Sequence, residues 1–194
     1  MKKPLVVLGR PFETNGVSFV DVNNVEAVES AVTYLAETGH KKIATVTSPL
    51  VTTVGIDRKQ GYLDGLKKSG LAIDQSLIYE GDFLEQSGYE GGLALIKHAP
   101  DAIFAASDRM ALGVIRALTQ RGLSVPEDIS VVGFDDYPVQ PPDVPFLTTI
   151  RQPLLEFGSK AMEILVAAIE NNGEVHQEYL PTKFFVREST KIRT

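Results

Sequence analysis

Residues 128–138 read DISVVGFDDYP: a run, 129–134, that is almost wholly apolar and then stops on two adjacent aspartates, Asp135 and Asp136. A strand with one face in water alternates polar and apolar residues, whereas a strand apolar throughout is covered on both faces, as in the parallel sheets of α/β proteins. Working outward, similar short runs recur at 5–8, 17–22, 42–47, 77–80, 102–106 and 147–150, with a last one inside 179–186. Between them lie segments of helical period, at 25–35, 56–68, 86–97, 109–120 and 154–169, several followed by Gly39, Gly70, Gly122 or the Asn171-Asn172-Gly173 stop. Strand and helix in alternation predict an α/β chain with a parallel sheet and helices on both faces. Four prolines between Pro138 and Pro145 rule out regular structure there.

Composition removes several classes of function. The 194 residues are 43% hydrophobic and 23% charged, as in an ordinary globular protein, and they contain no cysteine. Disulfides, thiolate nucleophiles and cysteine-ligated metals are thereby excluded. The net charge of −6, with basic residues scattered, offers no footprint for a phosphate backbone. No run approaches the ~18 apolar residues of a membrane span, and the start lacks the apolar stretch of a secretory signal, so a cytoplasmic protein without membrane contact is expected. His40, His98 and His176 have no metal-ligand spacing, and GYEGG at 88–92 is not a dinucleotide-binding loop. Neither a P-loop nor a nucleophile elbow is present, so no cofactor and no catalysis are expected.

In open α/β sheets ligands bind beyond the carboxyl ends of the strands. The residues that follow the strands here are polar: Gly9 and Arg10, Asp21, Ser107 and Asp108, and Asp135 and Asp136, with the aromatic Phe83 among them. A polar pocket with an aromatic wall is the expectation.

Five phrases carry a resemblance: GHKKIATV at 39–46, DRKQGYLDGL at 57–66, AASDRMALGVIRAL at 105–118, DISVVGFDDYP at 128–138 and LTTIRQP at 147–153. In this order and spacing the chain resembles the effector-binding domain of the lactose-repressor (LacI/GalR) family of transcriptional regulators, from PLVVLGRP at 4–11 to the last strand. The resemblance implies a two-lobed periplasmic-binding-protein-like type I fold. Residues 1–22 and 151–172 would then be a remnant of the N-terminal lobe, and 23–150 with 173–194 the complete C-terminal lobe. The family's helix-turn-helix head has no counterpart before Pro4. DNA binding would therefore belong only to a longer protein, working as a homodimer, and this chain would sense a small, sugar-like effector. A sugar-binding protein of a transport system would share the fold and is the alternative.

The resemblance also implies a set of ligand contacts. Arg58, on the first turn of its helix, would fork two hydrogen bonds onto hydroxyls or an anion, and Asp135 would accept from sugar hydroxyls. Ser107 stands at the family's asparagine position, with Asp108 as N-cap of the next helix. Gln152 matches a family contact at a lobe crossing. Gly9 replaces a commonly acidic residue, leaving Arg10 to compensate. Phe83 either stacks on the ligand or is buried, and Phe134 and Tyr137 either line the pocket or pack. Asp136 is read as a cap for local backbone donors, and Leu112 and Ile115 as reaching toward a subunit interface.

Overall fold

The computed structural model describes residues 4–136, 146–170 and 174–193. Tyr137, the prolines of 138–145 and the stop at 171–173 lie outside them. The chain divides into two units, Met1–Asn23 with Gln152–Thr182, and Asn24–Arg151 with Lys183–Thr194.

The larger unit is built on a six-stranded sheet. Its strands are β3 (Ile43–Thr47), β4 (Ile78–Glu80), β5 (Ala102–Ala105), β6 (Ser130–Asp135), β7 (Thr148–Arg151) and β9 (Lys183–Phe185), in the order β4-β3-β5-β6-β7-β9. All pairings are parallel except β7 with β9. Every residue of β3 and β5 and the first five of β6 are buried, as a sheet covered on both faces requires. The covering comes from two helix pairs, α1 (Asn24–Glu37) with α2 (Thr53–Lys68), and α3 (Glu85–Leu95) with α4 (Asp108–Gln120).

Glycines let these pairs close. A β-carbon on Gly61 would lie 2.3 Å from the Val25 carbonyl oxygen, and one on Gly113 would lie 2.0 Å from that of Glu85. The GYEGG stretch has the same purpose, since Gly88 and Gly92 meet α4 and Gly91 meets Tyr79 and Val46. Val28, Val32 and Leu35 on α1 are buried, as are Met110, Val114 and Leu118 on α4. Ile115 is also buried, so the expectation that it reaches an interface is corrected: α4 packs on α3 as well as on β5 and β6, which gives it a wider buried face than its leading stripe suggests.

His40 follows the glycine end of α1 and ties it to the sheet. Its Nδ1 lies 2.8 Å from the Leu35 carbonyl and its Nε2 2.8 Å from Ser130 Oγ. A carbonyl only accepts, so Nδ1 carries the proton and Nε2 accepts from the serine hydroxyl. Burial lowers the pKa of this imidazole from 6.5; the Leu35 bond and Asp101 oppose the shift, and Arg193 and Lys191 add to it. With the folded pKa depressed, the unfolded chain binds the extra proton first, so stability is full above the ordinary value and is lost as pH falls from there through the folded value. Urea midpoints should therefore drop below about pH 6.5, and His40→Gln should flatten that slope.

The smaller unit has a parallel three-stranded sheet, β1 (Val6–Leu8), β2 (Ser18–Val22) and β8 (Gln177–Leu180), in the order β1-β2-β8, with α5 (Leu154–Glu170) packed on β1 and β2. Phe19 and Tyr179 join β2 to β8 edge to face, with ring centroids 5.4 Å apart. Phe157, Ile164 and Ala168 of α5 are buried, while Leu154, Leu155, Met162 and Ile169 are exposed in this chain. The single last strand expected within 179–186 is corrected to two. Pro181 and Thr182 separate β8, in the smaller sheet, from β9, antiparallel on the edge of the larger one. A proline lacks the N–H that a continuous strand would need there.

Candidate functional site

The carboxyl ends of the larger sheet hold a cation inside the protein. Arg58 is only 4% exposed, yet it is bound on several sides. Its Nε donates to Asn24 Oδ1 at 2.9 Å and its Nη1 donates to the Ala106 carbonyl at the end of β5. The guanidinium carbon lies 3.5 Å from the centroid of the Phe134 ring, and Nη1 is 3.8 Å from Asp135 Oδ1. A buried cation is tolerable only with such partners. Phe134, for which two roles were open, is fully buried and acts as the floor under this guanidinium.

Helix α2 carries Arg58, and it begins three residues earlier than its periodicity indicates. Thr52 is the N-cap: its Oγ1 accepts from the Gly55 N–H at 3.0 Å and donates to the Pro49 carbonyl at 2.7 Å. Gly55 admits this fold-back, since a β-carbon there would lie 2.0 Å from the Pro49 carbonyl. Arg58 therefore stands in the second turn of α2, not the first.

The capping role expected of Asp108 falls to its neighbour. Ser107 is the N-cap of α4, accepting from the Met110 N–H at 3.2 Å. Asp108 is the first helical residue, buried, and accepts from Thr149 Oγ1 on β7 at 2.6 Å. A carboxylate at a helix N-terminus is stabilised by the helix dipole. Gly133 on β6 makes its room, because a β-carbon there would lie 2.2 Å from Asp108 Oδ1.

At the end of β6 the backbone leaves ordinary territory. Asp135 has φ 118° and Asp136 φ 58°. Aspartate tolerates the second value, but the first belongs to glycine. The turn leaves the Asp135 side chain 32% exposed beside Arg58. Asp136 does not cap backbone donors as expected: its carboxylate takes Arg151 Nε at 2.5 Å and Arg187 Nη1 at 2.6 Å. Burial raises the pKa of Asp136, but the hydrogen bonds from Arg187 and Arg151 outweigh it and hold the carboxyl below the usual range.

Phe83 is half-buried in the loop after β4, with φ 71°, a strained conformation for an aromatic residue. Asp82 and Ser87 frame that loop, Asp82 Oδ1 accepting from the Leu84 N–H at 2.9 Å and Ser87 Oγ from the Asp82 N–H at 3.1 Å. In the sheet order β3 and β5 lie between its strand and β6.

Gly9, Arg10 and Gln152 belong to the smaller unit. Gly9 has φ 93°, a conformation that glycine adopts without strain. The Arg10 N–H donates to Asp21 Oδ2 at 2.7 Å, and Asp21 Oδ1 accepts from the Val22 N–H at 2.7 Å. The Gln152 carbonyl accepts from the Leu154 N–H at the start of α5. Asn24, Thr149, Arg151 and Arg187 escaped the sequence reading because their partners lie far away in the chain. Among the described residues no group of acidic or histidine side chains could hold a metal, and no helix is long and apolar enough to cross a membrane.

Residues 32–190 match the family model described as a periplasmic binding protein-like domain. The chain is 39% identical over 193 residues to the HTH-type transcriptional regulator CelR of Thermobifida fusca, covering 96% of this chain and 56% of the regulator. It is 34% identical over 194 residues to the HTH-type transcriptional repressor PurR of Haemophilus influenzae, covering 97% and 57%. A solved complex of the transcriptional regulator CelR with cellobiose superposes with a TM-score of 0.91 at 38% identity, covering 95% of this chain and 58% of that one. The chain thus spans little more than half the length of these relatives. It belongs to the LacI family of transcriptional regulators and carries their periplasmic binding protein-like domain.

Proposed function

We propose that this chain binds a small, sugar-like effector at the polar strand ends of its larger unit, as the sensing part of a DNA-binding transcriptional regulator. The observation that carries this reading is the buried Arg58 beside the partly exposed carboxylate of Asp135. A guanidinium offers only donors and a carboxylate only acceptors, so together they match vicinal hydroxyls, each of which donates and accepts. Arg58 is fixed by Asn24, Ala106 and Phe134 before any ligand arrives, which lowers the ordering cost of binding. The similarity to a regulator solved with cellobiose supports a saccharide as the effector class.

Ser107 has its hydroxyl engaged as a helix cap and contributes through one group at most. Arg10, Gln152 and the turn at Gly9 are proposed as contacts from the smaller unit, and Phe83 as an aromatic surface. In this reading the chain binds without catalysis, works in the cytoplasm as a homodimer, and reaches operator DNA only through a head of the kind its HTH-type relatives are named for.

Calorimetric titration with cellobiose tests the site. Asp135→Ala should weaken binding by about 1.5–3 kcal/mol, the cost of losing a charged hydrogen-bond partner, while the unit stays folded. Unchanged affinity would remove Asp135 from the site.

A further inference from the structure

We infer that Asp136, clamped by Arg151 and Arg187, is a positioning residue that holds Asp135 in its strained conformation and so sets ligand affinity without touching the ligand. This rests on the reading of Asp135 as the ligand's carboxylate.

A non-glycine residue at φ 118° persists only where its surroundings over-determine it. The two arginines on Asp136 are part of those surroundings, together with Arg58 beside Asp135 itself. Asp136 is 8% exposed and takes Nε of Arg151 and Nη1 of Arg187 at 2.5 and 2.6 Å. Arg187 is itself anchored: its Nη1 also donates to the Leu147 carbonyl at 3.0 Å and its backbone N–H to Thr148 Oγ1 at 2.8 Å. Its guanidinium lies over the rings of Phe146 and Phe185, at 4.6 and 5.3 Å from their centroids, and that of Arg151 lies over Phe185 at 4.2 Å. Rotation of either arginine away from Asp136 would forfeit these contacts as well as the ion pair.

The register explains how the clamp acts on its neighbour. Arg151 is the strand partner of Asp135 across β6 and β7, yet its side chain bonds to Asp136. Asp136 is therefore drawn in toward β7 and the segment after β9, and Asp135 must absorb the turn in its own backbone. Its carboxylate is left beside Arg58.

The test begins without a ligand. Thermal unfolding is compared for the 194-residue chain, Asp135→Gly, Asp136→Asn and the double variant. Glycine relieves the strain, so Asp135→Gly should raise the midpoint of the larger unit by about 2–4 °C. In the Asp136→Asn background the turn is free to relax and the gain should vanish. An equal gain in both backgrounds would overturn the proposal, since a merely structural clamp adds its effect independently. If Asp136→Asn does not fold, Arg151→Gln, which removes one of the two partners, takes its place. A second arm titrates cellobiose: Asp136→Asn should bind about tenfold more weakly than the parent, and unchanged affinity would also overturn the proposal. Failure of the parent to bind cellobiose counts against the site reading, and the unfolding cycle then decides the clamp alone.

Discussion

Arg58→Ala should lower effector affinity by about 1.5–3 kcal/mol, roughly 10- to 150-fold, and should also cost about 2–4 kcal/mol of folding stability. The two losses have different origins. Affinity falls because the donors facing a ligand's hydroxyls are gone. Stability falls because Asn24 Oδ1 and the Ala106 carbonyl lose a buried donor and the Phe134 ring loses its cover. The ion pair with Asp135 adds little, since it is 3.8 Å long and the carboxylate is partly in water. Arg58→Lys separates the two: the charge stays near Asp135, but a lysine cannot bond Asn24 and Ala106 at once with a planar fork. It should recover part of the stability and little of the affinity. Urea unfolding with calorimetric titration checks both values, and equal behaviour of the two variants would contradict this account of Arg58.

Gly113→Ala should be strongly destabilising, costing about 3 kcal/mol or more. The new carbon would stand 2.0 Å from the Glu85 carbonyl oxygen and 2.6 Å from the Tyr89 nitrogen. Both are backbone atoms of α3, so no rotamer change relieves the clash; the helix itself must move, and with it the first turn that follows Phe83. Gly158→Ala on α5 is the control. Nothing lies within 4 Å of that position, and it is inside a helix, where alanine is favoured by about 0.5–1 kcal/mol. Urea midpoints shifting in opposite directions would bear this out, and a Gly113→Ala protein as stable as the parent would contradict the close packing of α3 on α4.

Much of the fold is written in local patterns. The apolar run in 128–138 announced a doubly covered strand, and β6 is one. Where the reading of the chain slipped, the deciding interaction lay beyond the pattern. The start of α2 is hidden from its periodicity because Thr52, Thr53 and Gly55 are poor helix formers by propensity, while the cap on Gly55 and the fold-back of Pro49 make the turn favourable. At 107–108 two good caps stand side by side, and the partners of the inward-turned Asp108 include the hydroxyl of Thr149, 41 residues on, which no local pattern announces. Pro181 is a visible stop between two strands, but the β-forming residues on both sides of it, Tyr179-Leu180 and Phe184-Phe185-Val186, read as one strand. For the candidate site, Arg58 and Asp135 were legible through the motifs that contain them. Their supports were not, because Asn24 lies 34 residues from Arg58, and the two arginines on Asp136 lie 15 and 51 residues away.

The Nε–H resonance of Arg58, followed by heteronuclear NMR while cellobiose is added to the 194-residue chain, tests the central claim most directly. The resonance should shift saturably, with the same dissociation constant as the calorimetric titration, and Asp135→Ala should weaken both together. Saturable binding that leaves the Arg58 resonance unmoved would place the ligand elsewhere and contradict the account.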